Sequence, residues 1–563
     1  MFRTMSGTLL LALAAATFAP ASADACGGFF CNNQPIDQSG EKILFVMDEG
    51  HVTAHIQIQY QGTSEQFSWV VPTTVVPEVS VGTDEIFPIL SGETQPYVSR
   101  EYSERNCEDR GGYFGAQDGA SDAGAGPDGD IDGDADYDGV DIVDSGIVGP
   151  FEWVTLDSED TEALLDWLRE NDYVIPEAAY PIVDSYVSAD SYFVGLKLTK
   201  DSETGDLQPI VLSMDTDEAC VPLRLTAIAA TDNMPVYVWF VGRGRAVSTN
   251  WPDLVLDDVQ LHHPAARGGR YGYYGGYYGN DPYADLVSNA IDAAGGRAFV
   301  TDFAGASWPL LRAIDSGRYE TSRIAGLTDA QRVMDELSRQ GFSASQLLMG
   351  ILAEFMPVPD GVEARDFYNC PSCYVDETYT FDPVGLAQAL EDRIAGPLRE
   401  IESDVARQTH LTRLYTTISP SEMTEDPFFG INRDLPLVDR PREATVIRDC
   451  RGTRSDADDF EEITTENGHH FCAALDGTDA PPAPLVERLV QYDVSGAGEV
   501  VEDNTREIDA AAYCGAGGLP PPVGGDAGGG GGLCVAVPGL PVGAGTLALL
   551  AGAACVLVLR RRK

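Results

Sequence analysis

Positive charge is what this sequence has least of. Its 563 residues hold 36 Lys and Arg against 89 Asp and Glu, a net charge of −53. Such a balance repels nucleic-acid phosphates and anionic headgroups, so no nucleic-acid partner is expected. Histidine is scarce as well. There are seven, none at metal-ligand spacing. His51 and His55 fall on the polar face of an alternating strand about 13 Å apart, too far to share one metal. HExxH, GxSxG, a Walker loop and a GxGxxG following a strand are all missing, which removes the commoner hydrolase and nucleotide readings. What is present, 44% hydrophobic and 9% aromatic residues, suffices for a sizeable core and excludes wholesale disorder.

Both ends read as targeting segments. Arg3, the apolar run Leu9 to Phe18 and the pattern Ala21-Ser22-Ala23 make residues 1–23 a secretory signal peptide, with Asp24 as the first mature residue. A buried helix, or a lipoprotein beginning at Cys26, is the alternative. Asp24 stands where a lipobox needs a small uncharged residue. At the other end a Gly/Pro linker (515–540) leads to an apolar segment (541–559) and the basic end Arg560, Arg561, Arg562, Lys563. That segment spans about 28 Å as a helix, enough to cross a bilayer core, and its cations keep residues 560–563 cytoplasmic. The tail resembles bacterial C-terminal sorting tails of the myxobacterial type, which implies processing or lipid attachment at Cys534. Leu533 stands where those tails place Gly.

A secreted chain meets an oxidising compartment, so its eleven cysteines are disulfide candidates first. Cys555 lies in the apolar segment and Cys534 in the linker. Nine remain, leaving one free, intermolecular or paired with Cys534. Cys450 with Cys472, across an acidic loop, is the expected local pair. Cys26, Cys31, Cys370 and Cys373 are further candidates. Cys370-Pro-Ser-Cys373 also admits a redox reading, but the acidic, β-like stretch after it offers no helix start or cation to hold a thiolate.

Between the ends, residues 24–514 read as an α+β ectodomain of one or two domains, with antiparallel β blocks and clustered helices. Ile43 to Met47, a turn at Asp48-Glu49-Gly50, and alternation from Val52 to Tyr60 predict a hairpin with one wet face. Gln66 to Val71 offers a third strand. Stretches 192–198, 209–214, 224–230 and 236–241 form a second block whose short connections predict antiparallel pairing. Ser158, Thr328 and Ser343 open predicted helices. Asp382-Pro383 opens another, with Leu386, Leu390 and Ile394 as its buried stripe.

The charge concentrates in an Asp/Gly-rich insert, 115–149. From 111 to 168 there are sixteen acids and no Lys or Arg. Asp128, Asp130, Asp132 with Gly133, and Asp134, Asp136, Asp138 with Gly139, reproduce the opening of a calcium loop. Position twelve, where a bidentate Glu belongs, is Gly139 or Ser145, so a solvated, self-repelling loop competes with calcium binding. Asp144-Ser145-Gly146 and Asp315-Ser316-Gly317 resemble the paired turns of aspartic proteases, although Arg318-Tyr319-Glu320 follows the second. The Tyr/Gly run from Arg267 to Asn280 reads as a surface loop or as adaptable contacts to a protein or cell-surface ligand.

Several stretches resemble one family. Cys26-Gly-Gly-Phe-Phe-Cys31, Ala54-His55-Ile56-Gln57-Ile58, Phe67-Ser68-Trp69-Val70-Val71-Pro72, Pro222 to Ile228, Met234 to Trp239, and Leu411 to Thr417 with Met423-Thr424 are similar to domain of unknown function 2330, a family of secreted bacterial proteins. The resemblance spans most of residues 26–430. It implies an envelope-exposed protein and transfers no catalytic residue. The resulting expectation is a membrane-anchored structural, adhesive or binding module, with a secreted hydrolase of unrecognised site as the alternative. If the insert is a solvated loop, millimolar calcium leaves the heat of mixing and the melting temperature unchanged. A saturable calcium heat would assign the six aspartates as ligands instead.

Overall fold

Asp48-Glu49-Gly50 reverses the chain between two long strands, with Gly50 at a φ of 79° that favours glycine. In the computed structural model, residues 37–61, 68–105, 107, 140–171, 173, 179–187, 191–199, 208–264, 282–376, 378–450, 460–474, 484–511 and 514 are described. All of them lie in one compact unit, residues 1–521. The signal segment, Cys26, Cys31, Asp128 to Asp138, the Tyr/Gly run, Cys534 and the segment 541–559 lie outside the described residues. Among the described residues no helix is long and apolar enough to cross a membrane.

The hairpin is β1 (Asp37–Asp48) and β2 (His51–Gln61). After it come β3 (Ser68–Thr73), β4 (Glu78–Val81), α1 (Ile86–Thr94), β5 (Tyr97–Arg105), β6 (Asp141–Val148) and β7 (Phe151–Asp157). Then follow α2 (Thr161–Glu170), α3 (Tyr180–Val187), β8 (Tyr192–Leu198), β9 (Ile210–Met214), β10 (Ala219–Cys220), α4 (Leu223–Thr226), β11 (Met234–Gly242), β12 (Arg245–Ser248) and β13 (Asp253–Leu256). A mostly helical stretch comprises α5 (Asp258–His262), α6 (Pro282–Ala293), β14 (Val300–Ala306), α7 (Trp308–Ile314), α8 (Ala330–Gln340), α9 (Gln346–Phe355), α10 (Ala364–Asn369), α11 (Pro383–Leu390) and α12 (Gly396–Val405). The last elements are β15 (His410–Ile418), β16 (Phe428–Asn432), β17 (Pro441–Asp449), β18 (Phe460–Thr465), β19 (His470–Ala474), β20 (Val486–Gln491), β21 (Glu499–Asp503) and α13 (Thr505–Ala511).

The central sheet runs β14-β15-β11-β1-β2-β9-β4, and both of its faces are covered. Ile43, Phe45 and Met47 of β1 enter a core shared with the sheet β3-β8-β7-β6. Leu44 and Val46, one residue out of phase, face a second core built from α1 and the α7–α12 helices. The expected wet face is only partly wet: His51, Thr53 and Gln57 of β2 are half-buried, but His55 is buried, and desolvation lowers its pKa to about 4. Outside the central pair, α2 and α3 cover the far side of the four-stranded sheet.

Mixed α+β with antiparallel sheets is the observed class, but the expected pairings are redistributed. β3 does not extend the hairpin; it pairs with β8 in the other sheet. β8, β9 and β11 never pair with one another, because the chain alternates between layers. Residues 224–230, expected as a strand, begin instead in α4 behind Pro222, which sits at the cap. β1 and β11 pair in parallel, as do β5 and β17, since the long connections between them free the strands from hairpin geometry. Asp329 and Ser345 cap α8 and α9 in place of Thr328 and Ser343, and Asp160 caps α2 in place of Ser158. Asp382 caps α11 as predicted, and Leu386, Leu390 and Ile394 are buried.

Cys450 and Cys472 are not partners. Cys472 pairs in register with Glu462, and Glu462 with Ile447, so β18 separates their strands. At ordinary strand spacings that sets their Cα atoms about 14 Å apart, against the roughly 7 Å a disulfide spans. Cys450 is bonded instead to Cys107, just past the parallel β5–β17 ladder, and Cys472 to Cys514. Cys370 is bonded to Cys373.

Trp239 of β11 is wholly buried on the helical face, its Nε1 donating to Thr94 Oγ1 at 2.9 Å and its ring 6.0 Å from that of Phe87. Trp239→Ala should lower unfolding free energy by about 3–5 kcal/mol. Urea denaturation of the two proteins checks this.

Candidate functional site

Strand alternation carries an acid into the sheet-to-sheet core. Glu41 of β1 shares its face with Ile43 and Phe45, opposite Val236 of β11 and Ile58 of β2. Around these residues the two sheets leave a cavity of about 280 Å³. Its walls are mainly apolar, with Ala54 and Ile56 of β2, Trp69 and Val71 of β3, and Leu212 of β9. This volume lies near the lower end for ligand pockets, and the lining has their usual character, apolar with few polar groups.

Glu41 is only 2% exposed, and its Oε2 has no hydrogen-bond partner among the described residues. Burial raises its pKa from 4.5 to about 7. A carboxyl so placed donates a hydrogen bond when protonated and accepts one, or holds a cation, when ionised.

A second polar group of the cavity is fully engaged. Asp426 accepts from the Tyr186 hydroxyl at 2.6 Å and from the Arg224 amide at 2.8 Å. The Arg224 guanidinium lies 5.2 Å from the Tyr186 ring centre, within cation–π range. Burial raises the Asp426 pKa, with the Tyr186 and Arg224 bonds opposing that rise. Cys220 is the one free thiol among the described cysteines. Burial, with Asp426 and Glu218 adding to it, pushes the thiol pKa well up, so it stays protonated and a poor nucleophile at neutral pH. Glu41, Glu218, Glu425 and Asp426 against Arg224 leave the lining acidic.

The residues nominated from sequence do not meet here. Asp144 is exposed on β6, its Oδ1 accepting from the Ser145 amide at 2.9 Å, and Asp315 is exposed at the end of α7. No hydrogen bond joins them among the described residues. Cys370 caps and Cys373 ends a short 3₁₀ turn after α10, and Cys450 and Cys472 are used in bonds to Cys107 and Cys514. The six calcium candidates Asp128 to Asp138, with Cys26, Cys31 and Cys534, lie outside the described residues. Glu41 went unnoticed, although it lies two residues before Ile43 in the alternation that defines the strand. An acid in phase with core positions was the available signal.

Antiparallel sheets, clustered helices and disulfides in one unit define a disulfide-bonded α+β protein. Residues 20–345 match the family described as an uncharacterized protein conserved in bacteria, domain of unknown function 2330, and the chain belongs to that family. The match takes in β1–β3, β9, β10 and α4 of the cavity and ends before Leu411 to Thr424, which the resemblance had included. No curated protein and no solved structure matches the chain.

The raised pKa of Glu41 makes stability depend on pH with a defined sign. Between about 4.5 and 7 the unfolded chain ionises this carboxyl while the folded one keeps its proton, so stability falls as pH rises through that window. Above it, Glu41→Gln should stabilise the protein by up to about 3 kcal/mol, a gain that vanishes in more acidic solution. Urea midpoints of the two proteins across the window check it. An equal difference at every pH would mean that the carboxyl does not titrate as described.

Proposed function

We propose that the protein is an extracytoplasmic, envelope-tethered binding module that takes a small apolar molecule bearing one amine or hydroxyl into the cavity between its sheets. The observation that carries this reading is Glu41, a buried carboxyl whose Oε2 has no partner among the described residues, set in a mainly apolar wall. A buried polar atom left alone costs free energy that a bound donor would return. The acidic balance of the lining favours the amine. Three disulfides among the described residues support an oxidising compartment. The signal segment 1–23 supports export, and residues 541–563, with their resemblance to sorting tails, support the tether.

A series of alkyl- and arylamines and their alcohol counterparts, added to the protein, should produce saturable one-site quenching of tryptophan fluorescence and a raised melting temperature. Ala54→Phe, which fills the cavity, should abolish both. Glu41→Gln should weaken the amines by about tenfold or more and the alcohols less. No saturable response across the series would sink the ligand reading. The tether predicts recovery with membranes that is lost on deleting 541–563; a soluble secreted protein with that segment intact would refute it.

A further inference from the structure

Away from the cavity lining, the chain gathers acids and an imidazole from four separate segments. Asp257, which ends the β13–α5 connection, accepts from the Val259 amide at 3.0 Å and from Gln260 Nε2 at 3.2 Å. Its neighbour Asp258 accepts from the Asn467 amide at 3.1 Å, which ties α5 to the β18–β19 turn. Gly468 in that turn has a φ of 92°, and the turn delivers His469, whose amide donates to Thr465 Oγ1 at 3.1 Å. One ring nitrogen of His469 and one carboxylate oxygen from each of Asp257 and Asp258 lie within 4.8 Å of one another. All three residues are buried.

Two buried atoms of this cluster are unsatisfied among the described residues. Asp258, 7% exposed, leaves Oδ1 without a hydrogen bond, and His469, 2% exposed, leaves Nε2 without one. The other ring nitrogen, Nδ1, lies 2.7 Å from Asp509 Oδ1 of α13. Nε2 stands 3.5 Å from Glu487 Oε2 of β20, itself buried. A carboxylate that accepts a hydrogen bond from Nδ1–H and leaves Nε2 bare is how metal-binding imidazoles are oriented. Asp258 and Asn467 also line a cavity of about 300 Å³ with Arg442, Glu443 and Glu466, which gives an ion a polar route in.

We propose that Asp257, Asp258, His469 and Glu487 bind a divalent first-row metal ion, zinc by preference, with Asp509 positioning the imidazole. Asp257, Asp258 and His469 supply the clustered donors, and Glu487, whose Oε2 also accepts from Asn467 Nδ2 at 2.6 Å, stands beside Nε2 as the fourth, an oxygen and nitrogen set suited to zinc. Calcium, which takes six to eight oxygens, is poorly served by it. The ion would clamp α5, the β18–β19 hairpin and β20. It would act beside the Cys472–Cys514 bond, which joins that hairpin to the end of α13, so its role is structural.

The test uses the full-length protein stripped with chelator, with zinc and calcium chlorides as probes in calorimetry. One equivalent of zinc should bind and raise the melting temperature, with calcium producing neither effect. His469→Gln and Asp258→Asn should weaken zinc by more than about tenfold, and Asp509→Asn by about tenfold. Circular dichroism of the stripped variants, matched to that of the stripped parent, separates loss of the site from loss of the fold. If a variant misfolds, visible absorption of cobalt(II) bound to the parent should report four-coordinate oxygen and nitrogen ligation. Failure of the stripped parent to take up zinc stoichiometrically would overturn the proposal. So would zinc bound equally well by a folded His469→Gln, which would place the ion on the acidic surface, or cobalt spectra of a six-coordinate aquo ion.

Discussion

The register in which β1 is held between β2 and β11 is the constraint on which the interior depends. With Glu41 opposite Val236 and Phe45 opposite Phe240, odd-numbered positions enter the sheet-to-sheet core and even-numbered ones the helical core. A slip of one residue would exchange the two sets. Leu44 and Val46 would then leave the helices that pack on them, and Glu41 would leave the cavity wall. The alternation that builds two cores from one strand thus also installs the acid in the cavity.

Elsewhere in the interior, two arginines are buried against acids. Arg245 and Asp253 meet at 2.7 Å, with Thr301 bonded to both. Arg413 lies 3.1 Å from Asp302 and stacks over Tyr237 and Trp239. Such pairs offset the cost of desolvation through mutual attraction and hydrogen bonds. Glu41 has no such partner for its Oε2, and His469 Nε2 faces a carboxylate across a gap too long for a good hydrogen bond. Those two groups carry the ligand and metal readings, because an unpaired buried group is costly until something binds it.

Local structure was largely legible in the amino-acid sequence. The β1–β2 hairpin follows from Asp48-Glu49-Gly50 and its flanking alternation, and the start of α11 from Asp382-Pro383 with its apolar stripe. Both depend on neighbours within a few residues. Cap positions shifted by one or two residues, since Ser158 and Asp160, or Ser343 and Ser345, offer near-equivalent accepting oxygens until the helix packs. Residues 224–230 misled because a short apolar run has no period long enough to separate strand from helix.

The sequence alone determined the α+β class, the strongly acidic charge balance and the presence of disulfides, all properties of composition and short-range pattern. The tertiary structure alone decided the parallel β1–β11 and β5–β17 ladders, the disulfide partners of Cys450 and Cys472, and the meeting of Asp257, Asp258, His469 and Glu487. These join residues up to 344 positions apart. Pairings at that range depend on how sheets stack and on which faces find cover, quantities that no window of local sequence contains.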